Sequence, residues 1–318
     1  MKPILYLLLF LILLTACTGT VTAPATEPAI GLPSATASET ATRLPVETVT
    51  ATDTPAGPTA APTLSAEEWQ SIPVVPTLTA AMLEVYQRGL EAGRDPTRFS
   101  KIGDCQNITP YFLAPFDEAT KYRLGEQYAY LQPTIDHFAG SWSRASVATH
   151  GGFNAATAMS PFWTVVARPA ECAEGETPAA CELRLYNASF AVVSMEEAWS
   201  GDLEKFDRYM RMLVEFVLSQ NVVPILGTRA EWPDAEITLN PTIVQIAYDY
   251  DLPLWNFGAA TLLLPEYGLS EDGFHLTPGT IENDFFFDDP ARMELGWVWR
   301  NLTALQSLDA VYTGTLQP

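Results

Sequence analysis

Short apolar runs alternate with helical patterns along the C-terminal part of this chain. The runs RFSKIG, ELRLYNASFAVVSM, NVVPILGT and LPLWNFG have the apolar character of strands buried in a sheet. Helical periodicity is found in FDEATKYRLGEQYAYLQPTIDHF, where Pro133 interrupts it, in SGDLEKFDRYMRMLVEFVLSQ, in TIVQIAYDYD and in a closing helix that starts near Pro290. The alternation predicts an α/β fold with a mostly parallel sheet that helices cover on both faces.

The N-terminus has a different pattern. One lysine precedes an apolar run of about a dozen residues, which is short for a membrane span and typical of a secretory signal. The run ends in Leu-Thr-Ala before Cys17, which resembles a bacterial lipobox, so we expect residues 1–17 to be a signal peptide with Cys17 as the lipidated residue. An ordinary signal peptide cleaved nearby is the alternative. The expected location is the outer face of the bacterial cell membrane.

Residues 18–65 consist mostly of threonine, alanine and proline and include no aromatic residue. Such a segment buries too little apolar surface to offset the entropy of ordering it, so we expect a disordered spacer. Extended at about 3.1 Å per residue, it would span on the order of 100 Å or more. Residues 66–318 then form one domain of about 250 residues, large enough for a substantial core.

The charge of the chain narrows its range of partners. Asp and Glu number 38 against 17 Lys and Arg, which gives a formal net charge of −21, and the sequence contains no basic cluster. This balance argues against binding to nucleic acid. We interpret the acidity as that of a soluble, exported surface rather than as a site for a cationic partner.

Cysteine usage points to one disulfide and one further thiol. Cys172 and Cys181 bracket the loop CAEGETPAAC, and export makes a disulfide between them the expected state. A metal site is the competing interpretation, but no histidine lies near and the spacing fits no common zinc pattern. We therefore predict no metal and no cofactor. Cys105 is then left over, directly after a Gly-Asp pair at the end of a predicted strand.

A candidate acid–base pair lies before the closing helix, in SEDGFHLTPG. Asp272 and His275 are three residues apart, so a single tight turn can aim both side chains in the same direction. The carboxylate can then hold one ring nitrogen and leave the other free to act as a base. His150 opens an HGG segment of the kind found in α/β-hydrolases, but the chain has no G-x-S-x-G elbow.

A Gly-Asp-nucleophile turn after the first strand, together with Asp-x-x-His before the last helix, resembles the SGNH (GDSL-type) hydrolase family. The resemblance covers most of residues 96–308. It implies a flavodoxin-like three-layer α/β/α sandwich with a mostly parallel sheet, and hydrolysis of esters of lipids, sugars or other acyl groups. The oxyanion site of that family uses the backbone N–H of the nucleophile, a glycine in a second block and an asparagine in a third block.

The motif residues of that family have counterparts in this chain, with two departures. The matching positions are Gly103 and Asp104 in the first block, Gly151 or Gly152 in the second, and Asp272 and His275 in the last. Cysteine at position 105 replaces the serine nucleophile. The Gly-x-Asn-Asp of the third block reads EEAW, so its asparagine is absent.

Further candidates lie at the other strand ends. Thr228 and Arg229 follow the strand VVPILG, and we predict that Arg229 contacts an anionic substrate group or pairs with Glu231 or Asp234. The aromatic residues in LWNFGAATLLLPEYG and ENDFFFDDP are interpreted as core and lid packing, with substrate contact as the alternative.

Two functions follow from this pattern. The first is a surface-anchored esterase that removes acyl groups from extracellular carbohydrate or lipid, with Cys105, Asp272 and His275 as its catalytic residues. A thiolate is a strong nucleophile, which makes the replacement chemically reasonable. The second is an inactive binding lipoprotein that keeps the fold and groove, since a lost oxyanion donor costs about 10²–10³ in rate. A third interpretation is a buried, inert Cys105.

Overall fold

A four-stranded parallel sheet organises the described part of the chain. The computed structural model describes residues 64–65, 67–167, 170–195, 201–279 and 284–317. The strands are β1 (Asp95–Gly103), β2 (Ala188–Ser194), β3 (Val223–Gly227) and β4 (Leu254–Trp255), and they lie side by side in chain order. All neighbouring pairs are parallel. The predicted α/β class with a parallel sheet is therefore confirmed.

The outer edge of β1 carries one more parallel bridge, between Gly103 and Thr149. The backbone N–H of Gly103 donates to Ala148 O at 3.0 Å, and the N–H of His150 donates to Gly103 O at 3.3 Å. The Thr149 hydroxyl also donates to Lys101 O at 3.0 Å. The HGG segment therefore begins beside the carboxyl end of β1, on the side opposite β2.

Helices and loops cover both faces of the sheet. The described helices are α1 (Ala80–Glu91), α2 (Gln132–His137), α3 (Ala155–Ala158), α4 (Pro161–Ala167), α5 (Pro178–Tyr186), α6 (Leu203–Ser219), α7 (Asn240–Asp249), α8 (Phe257–Thr261) and α9 (Gly296–Gly314). Phe99 of β1 meets the Phe138 ring edge-on at 5.5 Å, whereas the adjacent Ser100 donates to Glu182 of α5 at 2.7 Å. Successive strand residues point to opposite faces, so both faces of β1 are covered.

Among the described residues, no helix combines the length and the apolar character that a bilayer crossing requires. The expected signal peptide with Cys17, and the predicted spacer up to residue 63, lie outside the described residues. Their assignment stays a prediction. At the start of the described part, the backbone N–H of Leu64 donates to the Gln245 side chain at 2.9 Å, so the chain already contacts α7 there.

The long helix predicted over residues 116–138 is wrong for most of its length. Only α2 forms there as an α-helix, and Pro133 lies in its first turn instead of interrupting it. Upstream, the backbone of Arg123 accepts from Phe287 N at 2.8 Å and donates to Phe285 O at 2.9 Å. This pairing with a remote segment takes the backbone groups that a local helix would use. Gly125 follows with a φ of +65°.

The three consecutive phenylalanines contribute to the core. Phe285 and Phe287 are buried, and both rings lie against Phe116, with centroid distances of 5.2 and 6.2 Å. Phe286 is half-buried under the guanidinium of Arg123, whose Cζ lies 3.9 Å from the ring centroid. The core part of the core-and-lid interpretation is confirmed for Phe285 and Phe287.

Other boundaries differ from those predicted. The closing helix begins at Gly296 rather than near Pro290. The backbone N–H of Gly296 donates to the Thr277 hydroxyl at 2.8 Å, so a side chain of an earlier loop holds the first turn of the helix. Residues 182–186, expected in a strand, belong to α5. The sequence of α6 has an apolar stripe at helical spacing. The stripe is buried except for its first residue, which is 39% exposed at the helix start; its members are Leu203, Phe206, Met210, Leu213 and Val217.

Lys101 in the middle of β1 is buried, and its ammonium group has few partners. Its Nζ donates to Trp142 O at 2.9 Å and to the Thr109 hydroxyl at 3.1 Å. Burial lowers the pKa of Lys101 from 10.5 to about 7, with the attraction of Glu182 offsetting part of that effect. Between about pH 7 and 10.5 the folded protein therefore favours the neutral amine, whereas the unfolded chain keeps it charged.

We predict that this lysine makes stability rise with pH. Between about pH 7 and 10.5 the unfolded chain binds one more proton at this position than the folded protein does, so unfolding becomes more costly as pH increases. The contribution is at most about 1.4 kcal/mol per pH unit. Denaturant unfolding between pH 7.5 and 9.5 should show a shallower rise for Lys101→Met than for the wild type.

The matched control is Lys121→Met. Lys121 is half-exposed and pairs with Glu118 on the surface, so its removal should leave the pH dependence unchanged. Equal slopes for Lys101→Met and the wild type would contradict the prediction.

Candidate functional site

The turn that carries Cys105 begins where β1 ends. Asp104 is buried and caps a 3-10 turn, Cys105–Asn107, by accepting from the backbone N–H of Gln106 at 3.0 Å. Cys105 is half-buried and keeps its thiol. A Cβ on Gly103 would lie 2.1 Å from Asn107 Nδ2, so only glycine allows the asparagine side chain to fold back onto the strand.

A buried arginine of the last helix donates hydrogen bonds to this turn. Arg300 of α9 donates through Nε to Gln106 O at 3.2 Å, and through Nη2 to Asn107 Oδ1 and Ser194 Oγ at 3.1 Å each. Asn107 in turn donates to Ser194 O at 2.9 Å. The guanidinium lies 5.0 to 5.3 Å from the ring centroids of Phe112, Trp255 and Phe257. The ends of β1 and β2 are thus joined to the last helix through polar groups.

Arg300 and Asn107 are not among the site residues that the sequence pattern predicts. A signal for the arginine was present: it lies within the apolar segment GWVWRNLTALQSL, where a charged residue at a core position requires a buried partner. For Asn107 there was no comparable signal, because a polar residue after a strand is common in surface turns.

Asp272 and His275 form a tight turn. Asp272 Oδ1 accepts from the backbone N–H groups of Phe274 and His275 at 3.0 and 2.9 Å, while its Oδ2 lies 2.6 Å from His275 Nδ1. The hydrogen bond to His275, followed by the two backbone bonds, lowers the pKa of Asp272 to about 2. Gly273 has a φ of +69°, which favours glycine in the turn. Both functional side chains are more than half exposed.

One hydrogen bond joins the cysteine turn to the Asp–His turn. The Gln106 side chain donates through Nε2 to Phe274 O at 3.0 Å. Gln106 follows Cys105 directly, and Phe274 directly precedes His275. The fold therefore brings together two predicted site segments that are about 170 residues apart in the chain.

The two residues after β3 have different environments. Arg229 is mostly buried, with its guanidinium 5.4 Å from the Phe274 ring centroid and its Nε 3.8 Å from Glu231 Oε2, so it lies beside the Asp–His turn. Thr228 is fully buried, and its hydroxyl donates to Asn256 Oδ1 at 3.0 Å and accepts from Gly258 N at 2.9 Å. In this structure Thr228 supports the strand ends from within and does not face solvent.

The HGG segment lies beside the cysteine turn. A Cβ on Gly151 would find Ile108 Cδ1, one residue beyond the cysteine turn, as its nearest neighbour at 3.9 Å. Gly152 has a φ of +81°, and both glycines are exposed. His150 is also exposed, with its Nδ1 2.8 Å from Gly151 O. Backbone donors of this segment are therefore accessible near the end of β1.

The predicted disulfide between Cys172 and Cys181 is present, with Cα atoms 5.3 Å apart. Glu176 lies close to both sulfurs, a grouping that by composition resembles a metal site. The two sulfurs are bonded to each other, however, and the carboxylate pairs with Arg184 at 2.8 Å. The EEAW segment, 196–199, lies outside the described residues, so its place at the site stays a prediction.

Comparison of the chain with protein-family models, with curated proteins and with solved structures found no match. The indications of the chemistry of the site are therefore the residues of this chain. A thiol, an imidazole held by a carboxylate, and accessible backbone N–H groups lie on segments that the fold brings to one end of the sheet. These are the components of nucleophilic acyl transfer.

The steric limit at Gly103 yields a prediction. Gly103→Ala should lower the free energy of unfolding by about 1–3 kcal/mol, because the new methyl group displaces Asn107 from its contacts with Ser194 and Arg300. Gly151→Ala is the matched control: its methyl would meet only an ordinary contact, so stability should change by less than about 0.5 kcal/mol. Denaturant unfolding measures both. A Gly103→Ala protein as stable as the Gly151→Ala protein would contradict the packing described.

Proposed function

We propose that this protein is an SGNH-type carboxylic-ester hydrolase in which Cys105 is the nucleophile, His275 the base and Asp272 the residue that orients the base. The observation that carries the proposal is the hydrogen bond from Gln106 to Phe274 O, which brings the cysteine turn next to the Asp–His turn. The proposed substrates are acyl esters of extracellular carbohydrate or lipid. No cofactor is required for this chemistry.

A flavodoxin-like arrangement is part of the proposal. In that topology the second strand pairs on the outer side of the first, and the later strands follow on the other side. The bridge at Thr149, outside β1, is consistent with such an order, since β2, β3 and β4 follow on the inner side. The carboxyl ends of the strands are where ligands bind in open sheets of this class, and Cys105 lies at one of them.

In the first half of the proposed reaction, Nε2 of His275 takes the thiol proton of Cys105. The thiolate attacks the ester carbonyl carbon and forms a C–S bond, and the carbonyl electron pair moves to oxygen. Collapse of this intermediate breaks the bond to the leaving alkoxide, which takes the proton from His275. The product is a thioester on Cys105 and a free alcohol.

The second half releases the acid. His275 takes a proton from water, the hydroxide attacks the thioester carbonyl, and the C–S bond breaks as the thiolate leaves and recovers a proton from His275. The backbone N–H of Cys105 and that of Gly151 or Gly152 are the proposed donors to the oxyanion. The asparagine donor of the third block is absent from the sequence, so we expect a slower enzyme than its serine counterparts.

Asp272 keeps its charge throughout the working pH range. Because its pKa is about 2, the carboxylate stays ionised at any pH at which the protein would be assayed. It can therefore hold the Nδ1–H of His275 and stabilise the imidazolium that forms when the thiol proton is taken.

An alternative function is binding without turnover, on the outer surface of the cell membrane to which Cys17 would anchor the chain. Two features of the sequence favour it: a sulfur stands where a serine is expected, and the block expected to supply the third oxyanion donor reads EEAW, with two glutamates and no asparagine. A negative charge near a forming oxyanion would oppose catalysis. The ligand would then be the same acylated carbohydrate or lipid.

Hydrolysis of 4-nitrophenyl acetate by the full-length chain tests the proposal. Cys105→Ala should abolish turnover, and His275→Ala should lower kcat/KM by about 10²–10⁴-fold, because general base catalysis is lost. His137→Gln is the matched control, since that imidazole contacts Pro96 O and the Tyr312 ring, away from the site.

The outcomes separate the two functions. Turnover that depends on both Cys105 and His275 supports the hydrolase. Turnover that appears only in Cys105→Ser would mean that the protein is a disabled scaffold whose serine position still functions. No turnover in any folded variant would reject the enzyme and leave the binding protein.

A further inference from the structure

Gln106 is a buried residue, and only one of its two side-chain amide groups forms a hydrogen bond among the described residues. It is 1% exposed, and its Nε2 donates to Phe274 O at 3.0 Å. Its Oε1 is also buried, yet it has no hydrogen-bond partner among the described residues. Exchanging the two amide atoms would place two oxygens against each other at the Phe274 carbonyl, so the donating orientation is the one that the contact requires.

A buried amide oxygen without a partner opposes folding, because its hydration is lost and not replaced. An apolar side chain of similar size would avoid this loss. Stability alone therefore does not explain glutamine at this position, whereas the bond that its Nε2 makes does offer an explanation.

Two further contacts hold the Asp–His turn to itself and to the end of β3. Ser270 N donates to His275 O at 2.7 Å, which closes the turn on itself. Arg229 lies over the Phe274 ring and relates the turn to the end of β3. By contrast, the backbone of Gln106 is held by Asp104 and Arg300. Its side chain therefore extends from a fixed position on the main chain to the carbonyl of Phe274.

We propose that Gln106 is a positioning residue that sets the distance between the thiol of Cys105 and the imidazole of His275. The inference rests on the proposed function, since it concerns the nucleophile and base of that reaction. Gln106 itself contacts neither the substrate nor the reacting atoms. It acts through the main-chain carbonyl of Phe274.

The test compares Gln106→Met with the wild type in the full-length chain. Methionine has similar length and volume but cannot donate, so the His275 turn loses its link to the cysteine turn. We expect kcat to fall by as much as about 10²-fold with KM unchanged, because misplacement of about 1 Å can cost that much. The unfolding midpoint should change little, since removal of the unpartnered oxygen offsets the loss of the hydrogen bond to Phe274 O. Gln106→Leu is the second variant, should methionine fold poorly.

A second readout does not depend on ester hydrolysis. The rate at which iodoacetamide alkylates Cys105, measured from the peptide that contains it, reports the thiolate fraction at each pH. A nearby imidazolium stabilises the thiolate, so the wild type should react faster than His275→Ala below neutral pH. Gln106→Met should resemble His275→Ala. Gln245→Met is the matched control: that amide also joins distant segments, through Leu64 N, but lies away from the site.

Each outcome decides the inference. Loss of both kcat and the low-pH alkylation in Gln106→Met, with stability kept, supports it. Wild-type behaviour of Gln106→Met in both readouts overturns it, as does loss of activity that tracks a lowered unfolding midpoint. If the wild type hydrolyses no ester but its Cys105 reactivity depends on both His275 and Gln106, the positioning role stands and the proposed hydrolase fails. If His275→Ala leaves the alkylation rate of Cys105 unchanged, the thiol and the imidazole do not interact, and the positioning role is overturned.

Discussion

The buried guanidinium of Arg300 is the constraint on which the site end of the sheet depends. A charge inside the protein must be compensated by hydrogen bonds, and Arg300 obtains them from Gln106, Asn107 and Ser194, with three aromatic rings around it. These partners lie at the ends of β1 and β2, so satisfying the charge also fixes where the cysteine turn sits. Hydrogen bonds to a charged group typically contribute about 1.5–3 kcal/mol each, so the loss of one of these partners should be costly.

The Asp–His turn depends on a different kind of support. Its two side chains are more than half exposed, and the turn is held internally by backbone N–H groups that donate to Asp272. Phe274 in this turn also lies under the guanidinium of Arg229, which relates the turn to the end of β3. The amide of Gln106 connects it to the segment that Arg300 holds. The candidate site thus combines one buried, strongly fixed turn with one exposed turn that is tied to it.

Sequence patterns located the strands well and the segment before α2 poorly. Apolar runs such as 223–227 are buried on both faces, and a short run of that kind bounded by turn residues is typical of a strand in a parallel sheet. The error at residues 116–131 has a tertiary cause, because Arg123 pairs its backbone with the Phe285–Phe287 segment, about 160 positions away in the chain. The disulfide and the Asp–His turn were predicted because their residues lie within ten positions of each other.

Local patterns were sufficient to predict the α/β class, the Gly-Asp-Cys turn at the end of β1 and the pairing of Asp272 with His275, since each depends on periodicity or on contacts within a few residues. The contact of Gln106 with Phe274 and the support of the cysteine turn by Arg300 depend on the packing of the whole domain. Those hydrogen bonds join residues 168 and 194 positions apart. Hydrophobic burial folds the chain into one core without specifying which polar groups meet, so such partners become visible only once the strands and helices are packed.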